Sequence, residues 1–120
     1  MAKSGKKPKT ARWTDKLDPA EVAEAMEDAT VDAYGDDEQH TGLLTVMEDE
    51  LEFPFQVEAL GETVTVVGME WPENDEFGLD LLVERNGKQH RIEARSVNLL
   101  PPFPKGHLYL AAYLDWKSRM

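Results

Sequence analysis

At 120 residues and 41% hydrophobic content, the chain suffices for one compact domain with a real core and is too short for two. It has no cysteine, which excludes disulfides, zinc-thiolate sites and thiol nucleophiles and fits a reducing cytoplasm. Its net charge of -11 hides an asymmetry: residues 1 to 16 carry six bases and one acid, whereas residues 17 to 120 carry 7 bases and 23 acids. So negative a body repels nucleic acid and anionic membrane and attracts cations or a basic protein partner, which leaves phosphate contact to the N-terminal arm alone.

The opening MAKSGKKPKTARW has no apolar stretch behind it, and no run approaches membrane-spanning length, so a soluble, cytoplasmic protein is expected. Residues 1 to 16 read as a disordered basic arm and residues 17 to 120 as the single folded domain. Asp18-Pro19-Ala20-Glu21 signals a helix start: a capping acid, proline at the first helical position, and glutamate three after the cap. Val22, Met26, Ala29 and Ala33 form its apolar stripe, and Gly35 is expected to close it in a left-handed conformation.

Asp36 then caps a second helix, with Gln39 reaching back and Leu43, Leu44, Met47 and Leu51 as the buried stripe. Gly42 inside that helix costs about 1 kcal/mol against alanine, and close packing against a neighbour would explain it. From Phe53 the period becomes alternating: a strand through Phe55, Val57 and Ala59, a turn at Gly61-Glu62, a second strand with a bulge or bend at Gly68, and a loop over 72 to 76. A third strand through Phe77, Leu79, Leu81 and Val83 leads to the hairpin signal Asn86-Gly87 and a fourth strand over Gln89 to Ala94, and three prolines precede a helix over Leu108 to Trp116. The expected fold class is α+β: two N-terminal helices, a small antiparallel sheet of about four strands that could curl into a partly open barrel, and a C-terminal helix.

Residues 18 to 52 hold thirteen acids and no lysine or arginine. Glu24, Asp28 and Asp32 are spaced by four and should stack on one helix face, each like-charge pair costing about 0.2 to 0.5 kcal/mol. A divalent cation relieves that repulsion, and calcium suits all-oxygen sites of flexible geometry. The candidate metal ligands are Asp32, Asp36, Asp37 and Glu38 at the helix junction and Glu73, Asp75 and Glu76 in the strand loop. For any one cluster taken alone, a solvated face or simple helix capping competes with that reading. An EF-hand is rejected: Glu73, Asp75, Gly78 and Glu84 fall at loop positions one, three, six and twelve, but Phe77 takes a ligand position and strands flank the segment.

No catalytic apparatus is visible. His40, His90 and His107 form no metal-spaced pair, and Ser4, Ser96 and Ser118 lack a nucleophile elbow. His40 reads as an exposed surface histidine, and Met26, Met47, Met69, Trp71 and Trp116 read as core.

The strings Val31-Asp32-Ala33-Tyr34-Gly35-Asp36-Asp37-Glu38-Gln39, Phe53-Pro54-Phe55 and Gly61 to Val66, closing on Ala112 to Trp116, resemble the small acidic bacterial calcium-binding proteins of the CcbP type, from about Glu27 to Trp116. The resemblance implies calcium buffering or signalling through surface acids outside any helix-loop-helix hand. An acidic protein-protein interaction module without metal is the alternative.

Overall fold

The protein, described here by a computed structural model, is laid out over residues 12 to 73 and 76 to 120. Asp18 caps α1 (Pro19–Ala29) as its sequence signals, its carboxylate accepting from the Ala20 amide at 2.9 Å. The helix stops earlier than the apolar spacing suggests. At Thr30 the hydroxyl donates to the Met26 carbonyl at 2.7 Å, satisfying a terminal acceptor, and Ala33 and Asp32 lie beyond the helix in the following turn.

Gly35, at φ 96° and ψ 166°, does not close α1 in a left-handed conformation as expected. It is the N-cap of α2 (Asp36–Glu50), which makes Asp36 the first helical residue and not the cap. The reach-back contact expected of Gln39 is made by Glu38, whose carboxylate accepts from the Tyr34 amide at 2.9 Å. Gln39 instead accepts from the Trp116 indole at 2.8 Å, tying α2 to α3 (His107–Ser118). Leu43, Leu44, Met47 and Leu51 are buried as their spacing requires. Gly42 is where α2 meets the end of α1, since a Cβ there would stand 2.4 Å from the Ala29 carbonyl oxygen.

The sheet contains five antiparallel strands in the order β4-β3-β2-β1-β5: β1 (Phe55–Ala59), β2 (Glu62–Glu70), β3 (Asp80–Arg85), β4 (Lys88–Glu93) and the two-residue β5 (Asn98–Leu99). The edge strands β4 and β5 do not pair with each other, so the sheet is open and the barrel alternative falls. In β1 the buried Phe55, Val57 and Ala59 alternate with exposed Gln56 and Glu58, and the buried set joins the helix stripes in one core with Leu79, Leu81, Leu110 and Tyr113. The bulge expected at Gly68 appears as a register shift between Val66 and Gly68.

Two tight hairpins set the register. Asn86 and Gly87 both have positive φ, as a two-residue turn of this hand demands. The β1–β2 turn is centred one residue before the expected Gly61-Glu62, on Leu60 (φ 53°) and Gly61 (φ 78°). A leucine in that region costs about 1 to 2 kcal/mol, and Leu60 is 94% exposed, so it gains nothing in return. Leu60→Asn is therefore expected to stabilise the domain by about 1 kcal/mol, because asparagine tolerates this conformation, and a thermal melt should show a rise of several degrees.

The arm expected over residues 1 to 16 yields at Trp13. Trp13–Lys16 form a single 3₁₀ turn, the Trp13 ring is 2% exposed against the edge of Phe103, and its amide donates to Asn98 at 3.0 Å. Residues 1 to 11 lie outside the described region.

Candidate functional site

The acids that crowd residues 18 to 52 end up on α1, the turn after it, and α2. Arginine ion pairs take their acids from elsewhere: Arg85 holds Glu62 at 2.8 Å, Arg91 holds Glu70 at 2.5 Å, Arg95 holds Glu93 at 2.8 Å, and Arg119 holds Asp115. The last turns of both α1 and α2 contain no basic residue, and α2 ends on Glu48, Asp49 and Glu50. Each acid at a helix C-terminus opposes the macrodipole, typically by about 0.3 to 1 kcal/mol.

Asp32, Asp36, Asp37 and Glu38 are all exposed. Asp32, Asp37 and Glu38 line one shallow depression with Ala29, Val31 and Thr41, so the α1–α2 turn and the first turn of α2 do share a surface, while Asp36 is not part of its lining. Glu73 and Glu76 are exposed in the β2–β3 connection, and Asp75 lies outside the described residues. Among the described residues no three Asp, Glu or His side chains converge as a ready-made metal cage. The expected Glu24, Asp28 and Asp32 stack is cut to two, because α1 ends at Ala29.

His40 links these acidic segments, and it overturns the expectation of an exposed histidine. It is 5% exposed, and its ring lies among Trp71 at 5.6 Å, Phe77 at 5.8 Å, Trp116 at 5.9 Å and Tyr113 at 6.4 Å. Its Nε2 stands 2.8 Å from the Gly78 carbonyl; a carbonyl oxygen only accepts, so that nitrogen carries the hydrogen. Farther along α2, Glu48 accepts from the Trp71 indole at 3.1 Å. The β2–β3 connection is thus laid along α2, with Glu76 one residue before a ring that touches His40 and Glu38 two residues before His40 itself. Sequence reasoning missed His40 because nothing local marks it as buried; all five of these contacts come from 31 to 76 residues away.

A second acidic surface, absent from the sequence candidates, runs between α1 and the entry to α3. Glu21, Glu24 and Asp28 of α1 face Glu50 across a groove of about 630 Å³ whose other wall includes Phe103 and Tyr109. The Tyr109 hydroxyl donates to Asp28 at 2.6 Å. The hydrogen bond to Asp28, then burial, then the negative charges of Asp28 and Glu50 push the Tyr109 phenol from 10.0 up to about 12.

A phenol whose folded value is raised favours the neutral form. Tyr109 therefore adds stability that is complete below about pH 10 and is lost as pH rises through about 12. Spectrophotometric titration should show a late-ionising phenol that disappears in Tyr109→Phe. If that variant keeps the late step, Tyr109 is not its source.

No helix among the described residues is long and apolar enough to cross a membrane. No protein-family model and no curated protein matches the sequence. Among solved structures, the chain is similar to Anabaena CcbP at a TM-score of 0.65 and 20% identity, covering 86% of this chain and 93% of that one. It is also similar to a calcium binding protein in the calcium-binding form at a TM-score of 0.60 and 20% identity, covering 88% of this chain and 94% of that one. The α+β arrangement of three helices and an open antiparallel sheet is therefore a fold that this chain shares with these two structures.

Proposed function

We propose that the chain is a binding protein rather than a catalyst, and that it takes up calcium reversibly through surface carboxylates on the face where the α1–α2 turn, the start of α2 and the β2–β3 connection adjoin. The observation that carries this reading is the position of His40, which fastens two acid-bearing segments side by side. Asp32, Asp37 and Glu38 share a surface on one side and Glu73 and Glu76 lie on the other, with Asp36 and Asp75 as the remaining candidates. The ion is bound at the surface and draws the exposed side chains together, which fits calcium's tolerance of six to eight oxygens in irregular geometry. The name of one similar structure, a calcium binding protein in the calcium-binding form, supports the choice of ion.

Calorimetric titration of the full chain with calcium is expected to give saturable heat, and a hundredfold excess over the dissociation constant should add about 2.7 kcal/mol of stability. Asp36→Asn with Glu38→Gln should weaken binding by at least about tenfold, since a charge-assisted contact is worth about 1.5 to 3 kcal/mol, and by more than Glu21→Gln with Glu24→Gln. No saturable heat together with an unmoved melting temperature would sink the proposal.

A metal-free acidic docking module is the second reading, favoured by Val31 and Tyr34, which stand 75% and 84% exposed among the acids. Magnesium separates the two. A general acidic face responds alike to both ions, whereas a calcium site discriminates because magnesium demands near-ideal octahedral geometry.

A further inference from the structure

The groove between α1 and the entry to α3 is lined by four carboxylates, Glu21, Glu24, Asp28 and Glu50, against the single Lys105. Its walls are partly apolar, with Phe103 and the Tyr109 ring among them. A long cationic side chain fits such a surface: the methylene stem lies on the ring and the ammonium meets the acid.

Trp13 packs edge-on against Phe103 at 5.5 Å, and Phe103 belongs to the groove wall. Arg12 lines a surface with Pro19, Val22 and Met26, on the opposite flank of α1 from Glu21, Glu24 and Asp28, so the segment before it has to pass around one helix to reach the groove. Eleven residues precede Arg12, and they contain Lys3, Lys6, Lys7 and Lys9 and no acid. Eleven extended residues span up to about 36 to 40 Å, several times the 10 to 12 Å diameter of a helix, so reach is no obstacle.

We propose that the lysine-rich segment of residues 1 to 11 docks within its own chain into the acidic groove formed by Glu21, Glu24, Asp28 and Glu50, neutralising it as an internal counter-charge. This groove is favoured over the Asp36 to Glu38 surface because it combines carboxylates with ring walls and includes Phe103, on which Trp13 packs. The binding is intramolecular, so weak individual contacts gain from a high effective concentration. It is also electrostatic, so salt weakens it.

The chain has no cysteine, so Ser4→Cys supplies a unique site for a nitroxide label in the full-length protein. With calcium absent and salt low, paramagnetic broadening is expected to be strongest at Glu24, Ala25, Asp28 and Tyr109. It should be lost in molar salt and fall several-fold when Glu24→Gln and Asp28→Asn are combined, or when Lys6, Lys7 and Lys9 are replaced by glutamine. Both variants change charges outside the core, so the fold is retained and its spectrum reports the contact directly. Broadening spread evenly over the surface, centred on Asp36 to Glu38, persistent in molar salt, or growing with protein concentration overturns the proposal. Because no metal is added, the result is independent of whether the chain binds calcium.

Discussion

Gly106→Ala is expected to be the most damaging single-methyl substitution in the molecule, costing about 3 kcal/mol or more. Gly106 precedes α3 at φ 89° and ψ -1°, a conformation that costs an L-residue about 1 to 2 kcal/mol. A Cβ at this position would also stand 2.4 Å from the Glu50 carbonyl oxygen, 2.6 Å from its carbonyl carbon and 2.7 Å from the Leu51 Cα. These are backbone atoms at the end of α2, where the Glu52 amide donates to the Lys105 carbonyl at 3.0 Å, so no side chain can swing aside. Relief requires the α3 entry to leave α2, and forcing extra volume into a packed contact typically costs about 1 to 3 kcal/mol. Out of a total stability of about 5 to 15 kcal/mol, the combined loss should lower the melting temperature by about 10 °C or more. A melt within two or three degrees of the parent protein would show that this junction yields more easily than its geometry states.

Much of this architecture is legible in the sequence where one local signal suffices. Asp18-Pro19 fixes a helix start because cap and proline act within three residues, Asn86-Gly87 fixes a hairpin because both positions need positive φ, and the Leu43, Leu44, Met47 and Leu51 stripe needs only helical periodicity. The misreadings share a different cause. The end of α1 and the burial of Trp13 depend on partners distant in sequence: Gly42 of α2 against Ala29, and Asn98 and Phe103 around Trp13. The acidic candidates show the same division. Crowding of carboxylates is plain from composition, but the groove joining α1 acids to Glu50 exists only once α3 has docked, with Tyr109 reaching Asp28 across 81 residues.

A separate set of long-range contacts converges on His40, whose replacement by alanine carries the second large expected effect. The change removes an imidazole from among four rings and leaves a void in the core, which for aromatic truncations typically costs about 3 to 5 kcal/mol. It also withdraws the donor from the buried Gly78 carbonyl, a further loss of about 1 to 3 kcal/mol if no water replaces it. Such costs are not additive in full because neighbouring rings can relax into the space, so a destabilisation of about 3 kcal/mol by urea unfolding is the expected result.

His40→Phe separates the two contributions: it fills the volume, keeps the ring contacts and lacks the donor, so its cost should fall to about 1 to 3 kcal/mol. That milder variant also tests function, since it stays folded while the β2–β3 connection loses the His40 to Gly78 hydrogen bond and keeps the Trp71 to Glu48 one. Calcium affinity should fall in His40→Phe although none of the proposed ligands has changed, because the proposed site needs the β2–β3 connection held against α2. Unchanged affinity in a protein with a loosened connection would mean that calcium is held on one side of this junction alone.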